Sequence, residues 1–176
     1  PIMLSGKEFE YLLLQPITPS RVCIHRDIFK EFRFDPKIVI VEDLVLWVCI
    51  ASKYPAFQLC ENTLWYRIHD GNSVDLSRNS YFDRYQGLLR LFNDVDYLTV
   101  SAKIDCGIKN HLLAECAFNM ARHFEFVKNF KQMNVELKRS FKHLPTYRNK
   151  ERLFMYLNHQ TIGKKMLKLI GKGKTS

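Results

Sequence analysis

Two neighbouring carboxylates, Glu42 and Asp43, stand between the β-branched run Ile38 to Val41 and an apolar run that begins at Leu44. Side chains of this type at this place have two uses. At a helix N-terminus they complement the macrodipole and cap free N–H groups, worth roughly 0.5 to 2 kcal/mol. Projected from a helix start into a cleft, one of them can instead take a proton from a hydroxyl, and the same dipole keeps it ionised for that task. Position alone leaves both open. His69, at the end of Trp65-Tyr66-Arg67-Ile68, is a second candidate, as a metal ligand or as a structural histidine. Asp94-Val95-Asp96 follows a helical pattern rather than a strand and reads as a loop between helices. Cys106, His111 and Cys116 are five apart on a helical pattern, so they share no face and make a poor metal site. No glycine-rich phosphate cradle follows a strand.

The elements that must position these groups can be read from periodicity. Ser5 and Glu8 have capping-box spacing, predicting a helix from Ser5 to about Leu14. Val22 to Ile24 reads as a short strand, Asp27 to Phe32 as a turn of helix, and Ile38 to Val41 as extended. The period changes at Glu42: Leu44, Trp47, Val48 and Ala51 recur at steps of three and four, predicting an amphipathic helix over about 43–53. Phe57 to Cys60 and Leu64 to Ile68 read as strands, with a turn at His69-Asp70-Gly71-Asn72. After Ser80 only helices are expected. They cover Tyr81 to Phe92, a long helix capped by Ser101, a helix carrying Met133, Leu137, Phe141 and Leu144, and a last one from about Asn149 to Ile170. The stripe Ile104, Ile108, Leu112, Cys116, Met120, Phe124, Val127 winds around the long helix, which should therefore touch neighbours on more than one side.

The order "FRFDPKIVIVEDLVLWVCIA", then two strands, then "LWYRIHDGNSVD" resembles the C-terminal half of the GT-A catalytic domain of family 2 glycosyltransferases. The residues that carry the likeness are Phe34 and Asp35, Glu42 and Asp43, and Tyr66, Arg67 and His69, over about residues 5–75. The resemblance implies inverting transfer of a sugar from a nucleotide donor to a glycan or lipid-linked acceptor. Asp43 would be the base on the acceptor hydroxyl and Glu42 its site-shaping neighbour. Mg²⁺ or Mn²⁺ would neutralise the leaving diphosphate, with His69 as a ligand in some members. The family places its nucleotide-binding strands and an Asp-x-Asp well before the acidic pair, and this chain has only 42 residues before Asp43. The donor half is therefore expected to lie elsewhere, and the chain alone to be inactive.

The expected fold is helix-rich α+β: residues 1–75 as the acceptor-side part of a GT-A-like domain, then an all-helical extension over 76–176. Charge follows that division. Residues 1–75 carry 8 Lys and Arg against 10 Asp and Glu, and residues 76–176 carry 19 against 8, so the basic character belongs to the second part. The alternative function is accordingly a basic helical module for an anionic membrane, a nucleic acid or a partner protein. Ile162, Met166, Leu169 and Ile170 opposite Lys164, Lys165, Lys168 and Lys172 suit a membrane surface through residues 162–174. No nucleic-acid motif appears. The longest apolar run, Leu44 to Ala51, has eight residues where a membrane span needs roughly 20. An opening on Pro1 without a signal-peptide pattern reads as a fragment or processed product. Five cysteines without a CxxC pair, mostly among apolar neighbours, predict buried free thiols and a reducing, cytoplasmic compartment.

Overall fold

The helix that begins at the acidic pair is buried around almost its whole circumference. In a computed structural model that describes residues 1–15, 17–60 and 80–145, this helix spans Glu42–Ala51, and Leu44, Val45, Leu46, Trp47 and Val48 are five consecutive buried residues. An amphipathic helix would expose part of that run; this one is a core element. The chain divides into two compact units, Pro1–Leu113 and Ala114–Ser176. The expected boundary near residue 75 lies outside the described residues.

The first unit contains, in chain order, β1 (Ile2–Met3), α1 (Glu8–Leu14), α2 (Glu42–Ala51), β2 (Phe57–Gln58), α3 (Ser80–Asn93) and α4 (Leu98–Ser101). It is helix-rich, with a two-stranded antiparallel sheet in the register Ile2↔Gln58, Met3↔Phe57. Leu12 and Leu13 of α1 are buried, and α1 packs on α2. α1 starts three residues later than the capping-box spacing implies. Gly6, at φ 74°, makes a turn in which Lys7 N donates to Leu4 O (2.9 Å), so Ser5 stands in the turn and no side chain caps the helix.

Both short extended segments are also corrected. Val22 has extended backbone angles, but Val22 N donates back to Pro19 O at the end of a 3₁₀ turn, and residues 22–24 join no sheet. Asp27 to Phe32 holds the expected helical turn as a 3₁₀ helix over Arg26–Lys30. Ile38 to Val41 is not a strand. Asp35 O accepts from Ile38 N (3.1 Å), Asp35 Oδ1 accepts from Lys37 N (2.8 Å), and Ile40 adopts φ 75°. The four β-branched residues are thus split: Ile38 and Val41 are buried, while Val39 is 59% exposed.

α3 runs within a residue or so of its expected limits, and its apolar stripe of Tyr85, Leu88, Leu91 and Phe92 is buried. Ser101 does not cap the long helix. It ends α4, where its buried hydroxyl donates to Phe92 O (2.8 Å). The long helix, α5 (Cys106–Phe126), is capped by Asp105, whose Oδ1 accepts from Gly107 N (2.8 Å) and Ile108 N (3.2 Å). The division between the two units falls inside α5. Its burial is broad, as the winding stripe implied, taking in Leu112, Leu113, Ala114, Cys116, Ala117, Phe118, Met120 and Ala121; Val127, at the far end of the stripe, is exposed.

In the second unit Phe118 and Ala121 meet Met133 and Leu137 of α6 (Phe130–His143), with Phe124 at the edge. Ser140 Oγ donates to Ala114 O (2.8 Å), tying the two helices at the other end. The turn between them closes when Asn129 N donates to Phe124 O (2.8 Å) with Lys128 at φ 59°, a C-terminal closure usually made by glycine. The expected helix over 149–170 and the strand over 64–68 lie outside the described residues. The thiol expectation holds in one respect only. All five cysteines are free, but Cys23, Cys60 and Cys106 are exposed, Cys49 is half-buried, and Cys116 alone is fully buried. Cys23 stands in the irregular segment between the 3₁₀ turns Pro19–Arg21 and Arg26–Lys30, Cys60 two residues beyond β2, and Cys106 at the start of α5.

Gly87 marks where α3 meets the segment before α2. A Cβ there would stand 2.4 Å from Val41 Cγ2 and 3.0 Å from Ile38 Cγ2, both on stiff β-branched side chains. Gly87→Ala is therefore expected to destabilise the protein by about 1 to 3 kcal/mol despite alanine's better helix propensity. Urea denaturation checks this; a gain in stability would show that the contact yields freely.

Candidate functional site

The acidic pair occupies the first turn of α2, immediately after the N-cap residue Val41, whose side chain makes no capping bond. Both carboxylates are half-buried. Asp43 Oδ1 accepts from Leu44 N (2.7 Å). Burial pushes the Asp43 carboxyl above the usual carboxylate range, the nearby Glu42 charge adds to the rise, and backbone N–H bonds and Arg84 only partly oppose it. Glu42 Oε2 is buried without a hydrogen-bond partner among the described residues, and so is Trp47 Nε1 one turn further on. A buried carboxylate oxygen left unbonded is costly in a folded chain. The pair therefore carries more desolvation than a simple cap at a solvated helix end.

What precedes the pair is held tightly. Asp35 accepts from Arg90 Nε (2.8 Å), from the Tyr97 hydroxyl (2.8 Å) and from Lys37 N. Burial alone would raise the Asp35 carboxyl, but Arg90, the Lys37 amide and Tyr97 together hold it below its ordinary value. The Tyr97 hydroxyl is pushed up in turn, by burial and by the Asp35 charge. Arg90 is a hub: it also pairs with Asp94 through a short contact, reaches Asp96 at 3.4 Å, and lies over the Tyr97 ring with 5.8 Å to the centroid. Phe34 meets the Trp47 ring edge-on at 6.3 Å. Gly87 and Arg90, three apart on α3, thus grip the 35–41 segment at two points.

Of the residues that sequence reasoning singled out, Glu42, Asp43, Phe34 and Asp35 fall in the described part. Tyr66, Arg67 and His69 lie outside it, as does the stretch 162–174. Asp35 is occupied by structural partners. Asp94-Val95-Asp96 stands between helices as expected, with Val95–Tyr97 as a 3₁₀ turn and Asp94 accepting from Asp96 N. Among the described residues there is no group of three or more His, Cys, Asp or Glu that could hold a metal ion. The hub residues Arg90, Tyr97 and Gly87 escaped sequence reasoning. The spacing of Arg90 and Asp94 was a legible signal, but Asp35 is 55 positions from Arg90.

An open depression of about 490 Å³ is lined by Lys37, Gln86, Leu89, Arg90, Asn93 and Asp94. Of its three charged members, Arg90 and Asp94 are already paired to each other. Cys49 is unsuited to nucleophilic work, because burial raises its thiol to about 11. Among the described residues no helix is long and apolar enough to cross a membrane. No family model, curated protein or solved structure matches the chain.

The two uses of Asp43 differ in what its charge does to stability. Its folded-state carboxyl is raised, so the folded chain holds the proton more tightly than the unfolded one. That contribution is present below the ordinary carboxylate value and is lost as pH rises through the raised one. Asp43→Asn keeps an oxygen for Leu44 N and removes the buried charge. Its stability at pH 7 is expected to equal or exceed that of the parent in urea titration, whereas loss of a stabilising charged cap would cost roughly 0.5 to 2 kcal/mol.

Proposed function

We propose that these residues form the acceptor-side, C-terminal part of a nucleotide-sugar-dependent inverting glycosyltransferase. It would act at the cytoplasmic face of a membrane on a glycan or lipid-linked acceptor. The observation that best supports this is the state of Asp43, a half-buried carboxylate at a helix start whose proton affinity burial raises. A base of that kind is stronger than a solvated aspartate, while the N-terminal dipole of α2 favours its ionised form.

Asp43 takes the proton of the acceptor hydroxyl as its oxygen attacks the anomeric carbon. The bond from that carbon to the diphosphate oxygen breaks, the nucleoside diphosphate leaves with the electron pair, and attack from the opposite face inverts the configuration. Glu42, next to it, raises the proton affinity of Asp43 and walls the site. A bound Mg²⁺ or Mn²⁺ would neutralise the diphosphate, with His69 as the candidate ligand from this chain. Nucleotide binding is assigned to a region of polypeptide other than these residues, and the membrane side to the lysines of 162–174.

The test is nucleoside-diphosphate release from a panel of sugar nucleotides by the longest natural polypeptide that contains these residues. Asp43→Asn is expected to lower kcat by roughly 10²- to 10⁴-fold with little change in donor KM, since a general base contributes about that much. Turnover within threefold of the parent would remove Asp43 from the chemistry.

A further inference from the structure

The outer face of α6 carries a line of cations that make no ion pair among the described residues. At 100° per residue, Lys131, Val135, Lys138 and Lys142 fall within an arc of about 60°. All four are exposed. Met133, Glu136, Leu137 and Ser140, on the opposite side, are buried. A helix face made only to be solvated commonly interleaves acids with lysines at i, i+4, which stabilises it; Lys138 and Lys142 are a like-charged pair at that spacing, which does the reverse. From Phe126 to Pro145 the only acid is Glu136, which is 3% exposed and accepts from Gln132 Nε2 (3.1 Å) and Arg139 Nη1 (2.8 Å). No carboxylate of this stretch is therefore left to answer the lysine line.

The line continues into the turn that joins α5 to α6, and there it becomes apolar. Phe126 is 72% exposed and Val127 50%, with Val135 at 44% between the lysines. Lys128 stands beside them at φ 59°, a backbone conformation that costs a lysine more than a glycine. It puts an ammonium group at the tip of the hairpin. Cations on one face, and exposed aromatic and aliphatic side chains at one end of it, are the two components of binding to an anionic lipid surface. Lysines meet headgroup charge, and apolar side chains enter the boundary between headgroups and acyl chains. A nucleic-acid backbone would use the lysines but gives Val127 and Val135 nothing to contact.

We propose that the α5–α6 turn and the outer face of α6 form an anionic-membrane contact, with Lys128, Lys131, Lys138 and Lys142 as the headgroup-binding cations and Phe126 and Val127 as the inserted tip. This contact uses none of the residues 162–174 and stands whether or not the chain is part of a transferase.

Co-sedimentation of the whole 176-residue chain with vesicles tests it, using phosphatidylcholine alone and phosphatidylcholine with phosphatidylglycerol. Binding is expected to the anionic vesicles and to weaken as salt rises. Lys131→Gln/Lys138→Gln/Lys142→Gln is expected to weaken it about 100-fold, from roughly fivefold per lysine at a charged surface. Phe126→Ser/Val127→Ser is expected to weaken it at least tenfold, and a control of equal charge in the first unit, Lys7→Gln/Lys30→Gln/Lys37→Gln, far less than the α6 triple variant. Circular dichroism should be unchanged in all three and each should still melt cooperatively, since every altered side chain is exposed. Equal losses in the α6 triple variant and the control, or no loss in the tip variant, would overturn the contact. So would binding to single-stranded or duplex DNA, but not to anionic vesicles, that the α6 triple variant abolishes.

Discussion

The ion pair between Arg90 and Asp35 is the constraint on which the first unit depends. It ties α3 to the segment that leads into α2, and it is shielded enough to count: the two side chains are 20% and 14% exposed. Charge-assisted bonds of this kind are stronger than neutral ones, and removing one partner leaves the other charge poorly solvated. Between Asp35 and Glu42 the backbone passes through Ile40 at φ 75°, where a β-branched residue is a steric outlier costing of order 1 to 3 kcal/mol. Such a conformation persists only when its surroundings dictate it. Asp35, pinned by three donors, dictates one end, and the close approach of Val41 to Gly87 dictates the other.

That restraint explains why the acidic pair stands where it does. Held as it is, α2 is buried from its first residues, and the cost falls on the two carboxylates, one with an unbonded buried oxygen and the other with a raised proton affinity. Strain and desolvation are thus gathered at one helix start.

Elements with long, regular periods were legible from residue types. The stripes of α3 and of α6 are repeated over three or four turns, and both helices lie almost where those stripes place them. Legibility failed where a local signal lacked a partner. The β-branched residues 38–41 favour extended backbone, but a strand needs a ladder, and here the Asp35 turn and the Gly87 contact determine the shape instead. Ser5 and Ser101 are both suitable capping residues, displaced by a glycine turn in one case and by the better-placed Asp105 in the other. At the candidate site, Asp43 was legible as a residue that is either cap or base. Its partial burial was not, because it comes from the packing of α2 rather than from any neighbour in sequence.

The central claim is that burial raises the proton affinity of Asp43 even though one of its oxygens bonds an N–H of the first turn of α2. Carbon-detected NMR titration of the Asp43 side-chain carboxyl tests this most directly. A midpoint clearly above the ordinary aspartate value of about 3.9 is the result the account requires. A midpoint at or below that value, as a helix dipole acting on a solvated cap would give, contradicts it.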